Sequence, residues 1–369
     1  MRVLIPLVFM LVFLAFLSGA NIYLSRRFGY YFGIDNLRWI YLFFAASTVF
    51  MIAGLAGFTN SLSVPGSMLY KLAATLMGLV LYMFISALLF HLISVFVTVK
   101  PDVHGLLVLA LALGISVYGI INAYSTRVRK VEIPVRNLES EFTLMHMSDI
   151  HIGHFRGVRF MGRLVKKTNR TGPDIVVITG DLFDGRIRLK QNVLEPLEEL
   201  KSPAFFIDGN HDGYTGVNKV KKLVSNSGVR VLENEVVDLE LIQLVGLNHM
   251  APDSNTVGMH DPGRKETMKS VLPQLNISTL KPSVLLHHSP DGIEFASKAG
   301  IDVYLAGHTH AGQLFPVTLI NDLIFKYNRG LNNYNGTRIF VSPGAGTFGP
   351  PMRVGTRSEI NLIKLVPEK

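Results

Sequence analysis

Ile175 to Gly185 reads IVVITGDLFDG, a short β-branched apolar run that stops at a glycine and then at a carboxylate, Asp181. Runs such as Ile175 to Ile178 read as buried strands, and in open α/β sheets reactive groups gather just beyond the carboxyl ends of the strands. The same design recurs on both sides of this stretch. One run ends at Asp149 and His151 (SDIHIGH), one at Asn210 and His211 (GNHDG), one at His287 and His288 (LLHHSP), and one at His308 and His310 (AGHTH). Taken singly, each is turn chemistry or a hydrogen-bonded polar residue at a strand end. Together they gather so many carboxylates and imidazoles on one sheet edge that leaving them without cations would be electrostatically costly. This is the pattern of a metal site holding two metals.

Carboxylate, amide oxygen and imidazole form a mixed ligand set suited to Mn, Fe or Zn, and the chain has no Cys to offer a softer alternative. Two divalent ions roughly 3.5 to 4 Å apart can hold a phosphate oxygen, generate hydroxide at neutral pH and stabilise an in-line displacement. Holding two cations that close together needs a shared carboxylate. Asp181 is the natural bridge, because it is the middle carboxylate of the series and follows Gly180, where the chain can turn sharply.

The ordered blocks D-x-H, G-D, G-N-H-D, H and G-H-x-H, from Asp149 to His310, resemble those of the calcineurin-like metallophosphoesterases. The resemblance implies two facing mixed sheets flanked by helices. It also implies that one metal is held by Asp149, His151, Asp181 and His310, and the second by Asp181, Asn210, His288 and His308. His211 would face the phosphate as general acid for the leaving oxygen, with Asp212 orienting its ring. In the fourth block the family's H-x-P fits His288-Ser289-Pro290. His287 and His288 point to opposite faces of a strand, so only one reaches the metals, and the motif register selects His288. The segment Ser342 to Ile360 (SPGAGTFGPPMRVGTRSEI) and Gln313 after GHTH resemble the bacterial membrane-anchored branch of the family. There Arg353 is a candidate contact for the substrate phosphate, with His154 as a second, and a surface arginine is the plain alternative.

The first third of the chain is different material. Between Val3 and Tyr124, Lys and Arg are sparse, none precedes Arg26, and the apolar runs are long enough to cross a bilayer. The spacing predicts about four helices, at 3–24, 37–58, 69–99 and 103–124. Arg26, Arg27 and Arg38 flank the first gap, the polar residues and turn formers between Asn60 and Gly66 make the second, and Lys100-Pro101-Asp102 make the third. Arg2, the first apolar run and Ser18-Gly19-Ala20 also resemble a secretory signal, but the run continues through Leu24 and further spans follow, which favours an uncleaved helix. Ala53 with Gly57 and Ala110 with Gly114 are small-residue pairs that would let helices approach. His91 and His104 have no carboxylate partner nearby in sequence and read as packing or interfacial histidines.

The chain thus divides into a multi-pass α-helical membrane domain at 1–125, a basic connector at 126–141 and an α/β metallophosphoesterase domain at 142–369. Apolar spacing predicts helices over Phe160 to Val165 and Val193 to Leu200. Positive-inside counting nearly ties, and the cluster Arg127, Arg129 and Lys130 tips it towards a catalytic domain on the cytoplasmic side of the cell membrane.

A net charge of +9 invites a nucleic-acid reading through Lys166, Lys167 and Arg170, or Lys219, Lys221 and Lys222. No aromatic platforms interleave with these runs, and a neighbouring anionic bilayer is an equally good partner. The absence of Cys excludes disulfides and thiol catalysis. No G-x-x-x-x-G-K-[ST] loop supports ATP-driven chemistry. The leading reading is a membrane-anchored dinuclear phosphoesterase attacking a phosphodiester, phosphomonoester or pyrophosphate with metal-bound hydroxide, on a substrate that the anchor would allow to be lipid-linked. The competing class is a membrane sensor whose phosphoesterase-like domain binds without turnover.

Overall fold

The computed structural model describes residues 4–185, 191–252 and 265–368, with side chains from Leu14 onward. The N-terminal part is helical: α1 (Leu4–Phe32), α2 (Arg38–Phe58), α3 (Val64–Ile93) and α4 (Pro101–Tyr124). Among the described residues, α2, α3 and α4 are long and apolar enough to cross a membrane. The first expected span lies partly outside the described residues.

Helix α3 begins at Val64, not at Leu69, because Ser63 caps it: its Oγ accepts from the Gly66 amide at 3.1 Å, and Pro65 is tolerated in a first turn. It also ends earlier than its apolar run, at Ile93. The close approach between α2 and α3 falls at Gly54, where an added methyl would overlap the Ala73 side chain. Gly57 and Gly114, by contrast, have open space where a Cβ would stand, so the small-residue pairs are not the contact points. The His91 ring lies 3.2 Å from the Tyr23 hydroxyl, and His104 packs against Tyr31 and Phe90. Both are packing residues.

The chain divides into two compact units, 1–121 with 349–352 and 122–348 with 353–369. The second contains strands β1 (Arg127–Val135), β2 (Phe142–Met147), β3 (Ile175–Thr179), β4 (Ala204–Ile207), β5 (Arg230–Val231), β6 (Glu235–Asp238), β7 (Gln243–Gly246), β8 (Ser283–Leu286), β9 (Val303–Ala306), β10 (Gly330–Tyr334), β11 (Thr337–Val341) and β12 (Glu359–Pro367). Its helices are α5 (Val158–Thr171), α6 (Asn210–Asn226), α7 (Met268–Val271), α8 (Ile293–Lys298) and α9 (Val317–Ile324).

The strands form two six-stranded sheets, ordered β1-β12-β2-β3-β4-β5 and β10-β11-β9-β8-β7-β6. In the first, β2 to β5 run parallel, and in the second β7, β8, β9 and β11 do. The fold is the expected pair of mixed sheets with helices. Leu144, Val177, Phe205 and Ile207 from one sheet meet Leu244, Val284, Leu286 and Leu305 from the other in a buried apolar layer.

Two local expectations change. The basic connector is an edge strand: β1 pairs parallel with β12, burying Ile133 and Val135, and an edge position tolerates Pro134. Residues 193–200 form 3-10 turns, Gln191–Val193 and Glu195–Glu199, where an α-helix was expected. Pro196 lacks the amide needed to continue an α-helical ladder there.

Leu286 is fully buried in the inter-sheet layer, so Leu286→Ala should cost about 2–5 kcal/mol. Chemical denaturation in detergent would show this as a lowered midpoint for the second unit.

Candidate metal centre

The predicted ligands all stand just past the carboxyl ends of parallel strands. Asp149 and His151 follow β2, Asp181 follows β3, Asn210 follows β4, His288 follows β8, and His308 and His310 follow β9. Because the two sheets pack face to face, these two sets of strand ends bring their side chains to one rim.

Asp149, His151 and His310 form one group of potential ligand atoms, and Asp181, His288 and His308 form another. In the first, His151 Nε2 lies 3.0 Å from His310 Nε2, and His310 Nε2 lies 3.5 Å from Asp149 Oδ1. In the second, Asn210 Oδ1 lies 3.1 Å from His288 Nε2 and 3.0 Å from His308 Nδ1. Asp181 joins them. Its Oδ2 is 3.2 Å from His288 Nε2 and 3.7 Å from His151 Nε2, while its Oδ1 accepts the His211 amide at 2.8 Å.

Asn210 Oδ1, Asp181 Oδ2 and His308 Nδ1 all face His288 Nε2, at 3.1, 3.2 and 3.3 Å, more partners than one imidazole N–H can serve. They do suit a cation placed among them, so the donor set fits two divalent ions sharing Asp181.

The backbone is strained to achieve this. Asp149, His151, Asp181, His308 and His310 all have φ between 49° and 72°. That left-handed region is rare for non-glycine residues and tends to cluster at functional sites. Gly209 and Gly307 make room: a Cβ on the first would overlap the Asp181 carboxylate, and one on the second would overlap that of Asp149.

Burial pushes the Asp149 carboxyl above its ordinary range. Burial acts the same way on Asp181, but the surrounding imidazoles, His288 foremost, outweigh it and hold that carboxyl well below its usual value. His288 is driven up to about 10: burial opposes this, and the adjoining Asp181 overcomes it.

His287 turns away from the rim. Its Nδ1 lies 2.8 Å from the Ser289 carbonyl oxygen and 3.1 Å from the Tyr304 hydroxyl, in the core behind the strand. His288, the residue in motif register, instead has its Nε2 3.2 Å from Asp181 Oδ2.

Other expected roles change. The Asp212 carboxylate does not reach the His211 ring; it accepts the amides of Leu182, Phe183 and Gly209 at 3.1, 3.2 and 3.0 Å, which caps α6 and fixes the Asp181 loop. Asp184 takes the orienting position instead, 3.5 Å from His211 Nδ1 and 3.8 Å from His151 Nδ1. The sequence held that signal in TGDLFDG, three residues after Asp181, but a second carboxylate in a glycine-rich turn has an ordinary reading.

Arg353 is fully buried, so it is neither a surface arginine nor a free phosphate contact. Its guanidinium donates to the carbonyls of Gly346 (2.8 Å) and His310 (3.2 Å) and lies 3.2 Å from His310 Nδ1. His154 is also buried, in the loop between β2 and α5. Lys221 likewise leaves the basic surface: it is buried beside Asn248 at 2.6 Å and Asp208 at 3.7 Å. His249, after β7, was not singled out in the sequence. Its ring packs edge-on to His288 at 5.8 Å and stacks on His287 at 6.1 Å.

A family model for calcineurin-like phosphoesterases matches residues 142–312. The chain is 28% identical over 98% of its length to an uncharacterised metallophosphoesterase of Campylobacter jejuni, spanning 99% of that protein. It is 31% identical to an uncharacterised metallophosphoesterase of Aquifex aeolicus, over 69% of this chain and 97% of that one. It is also 34% identical to a transmembrane protein with metallophosphoesterase domain of Danio rerio, over 68% of this chain and 60% of that one. The chain belongs to the calcineurin-like phosphoesterase family. It is a phosphoric ester hydrolase of the kind that uses a dinuclear metal centre.

Asp181→Asn should remove most metal at both positions, because that carboxylate faces both groups. His310→Ala should lower the content of two ions by about one, and His287→Ala should leave it unchanged. Elemental analysis of purified, unchelated protein reads all three.

Proposed function

We propose that the second unit hydrolyses a phosphodiester, phosphomonoester or pyrophosphate bond carried on a lipid, using two divalent cations, Mn foremost, held by Asp149, His151, Asp181 and His310 and by Asp181, Asn210, His288 and His308. The observation that carries this reading is the single Asp181 oxygen between the two ligand groups, with His211 on the same rim. The cations, when bound, polarise the phosphoryl oxygens and lower the pKa of attacking water.

The chain's own groups do the rest. His211 is driven up to about 9: burial opposes protonation, and Asp181 and Asp184 outweigh it. With Nδ1 turned to Asp184, Nε2 is the atom left to deliver a proton to the leaving oxygen. Tyr214 and Phe348 pack edge-on to the same imidazole at 5.6 and 6.0 Å and restrict its rotation. Helices α2 to α4 supply the reason for a lipid-borne substrate: they would anchor the chain in a bilayer, with the second unit on the cytoplasmic side by the basic cluster at Arg127 to Lys130.

Hydrolysis of an aryl phosphodiester with added Mn tests the chemistry. His211→Ala should lower kcat by about 10²- to 10⁴-fold with metal content intact. Asp184→Asn should lose about 10- to 100-fold, as expected when a partner that orients a histidine is removed. Equal rates in all three proteins would assign the chemistry to the wrong residues, and no turnover in the unaltered chain would favour a sensor.

A further inference from the structure

Helix α9, VTLINDLI, is amphipathic in the reverse sense: its apolar side faces out and its polar side faces in. Leu323 is 87% exposed, and Val317, Leu319, Ile320 and Ile324 are exposed with it, as is Phe315 just before the helix. Scattered exposed apolar side chains are ordinary, but a contiguous set on one short helix marks an interaction surface. The inward side holds Thr318 and Asn321, and Asn321 Nδ2 donates to the Thr309 carbonyl at 3.2 Å. Thr309 lies between the ligands His308 and His310. Gly312 allows this seating, because a Cβ there would lie 2.6 Å from Thr318 Cα.

We propose that α9 is an interfacial helix that docks this unit onto an anionic bilayer, with Leu319, Ile320, Leu323 and Ile324 among the acyl chains. Two observations select a bilayer as the occupant. The chain itself carries helices long and apolar enough to cross one, and only Ser125 and Thr126 separate α4 from β1. The apolar face also adjoins positive charge: Arg129, Arg329 and Arg357 line a cavity of about 240 Å³ with Gly355. A Cβ on Gly355 would stand 3.2 Å from Phe315 and 3.6 Å from Thr318. Glu359 lines the same cavity but is paired with Arg129 at 3.5 Å, and Lys326 follows the helix. The one carboxylate on α9, Asp322, is turned to the Asn328 amide at 2.6 Å. An apolar helix face beside a cationic rim matches the acyl and headgroup layers of an anionic membrane surface.

The docking would reach the metal centre in part through the hydrogen bond from Asn321 to the Thr309 carbonyl. Gln313, at the start of the α9 approach, also clamps Phe348 by its amide and carbonyl, both at 3.0 Å, with the Phe348 ring 5.9 Å from that of His310. Lipid contact at α9 is measured without turnover, so it stands or falls apart from the catalytic reading.

The full chain has no Cys, so a single Leu323→Cys substitution can carry an environment-sensitive fluorophore in proteoliposomes containing phosphatidylglycerol and nitroxide-labelled lipid. Leu280→Cys, 85% exposed just before β8, is the reference. We expect the Leu323 label to be quenched about 3-fold or more beyond the Leu280 label. That excess should shrink when phosphatidylcholine replaces phosphatidylglycerol or when Arg329→Glu and Arg357→Glu are combined. Equal quenching at the two positions overturns the proposal. So does label self-quenching that rises with protein density, which would place a second copy on this face.

Discussion

The Asp181 carboxylate is the constraint on which the rest of the site depends. One oxygen is taken by the His211 amide, and the other is turned between His151 and His288. That division of labour needs the chain to reverse sharply after β3, which Gly180 permits with φ of 79°. It also needs β4 to pass close enough for Gly209 to lie against the carboxylate. Asp212 holds the geometry by binding the amides of Leu182 and Phe183 from the next turn. The buried Asp212 carboxyl is itself driven up to about 7, by burial first and then by the nearby Asp181.

Ligands placed beyond strand ends inherit the stiffness of the sheet but must bend the backbone to face inwards. Each left-handed non-glycine residue costs about 1–3 kcal/mol, so a site with several persists only where the surroundings leave no alternative. Here the surroundings are the inter-sheet apolar layer and the glycines of the closing segment, where a Cβ on Gly344 would overlap Asp149 and one on Gly346 the Asp149 and Ile150 carbonyls. Arg353 fastens that segment to the His310 loop by donating to the Gly346 and His310 carbonyls. Burial pulls its guanidinium down to about 9, and the ring of carbonyl acceptors compensates for the lost hydration. A second buried arginine, Arg156, donates to Thr347 at 2.6 Å and to the Ala123 carbonyl at 3.3 Å, satisfying an orphan carbonyl at the end of α4. Asn122 reaches from the same turn to the Arg353 and Thr356 carbonyls at 2.9 and 2.8 Å. The last turn of α4 is therefore built into the second unit.

Family membership was legible, as was the gathering of candidate ligands at strand ends, because metal chemistry fixes residue types there and each block can be recognised locally. The choice between His287 and His288 was half legible: strand alternation said that one alone could point to the metals, and only the packing of His287 on Tyr304 shows where the other goes. The roles of Asp184, Asp212 and Arg353 were not legible. A carboxylate or guanidinium serves a substrate, a neighbouring imidazole or a backbone amide equally well until the partners are in place.

The sequence by itself determined that apolar helices precede an α/β unit, and that carboxylates, imidazoles and one amide would gather past its strands. These follow from periodicity and donor chemistry, which are properties of short segments. Tertiary structure alone decided that residues 127–135 are an edge strand, that Asp184 faces His211, and that α9 turns its apolar side outwards. Hydrogen-bond partners and burial arise between segments distant in the chain, and no local pattern specifies them.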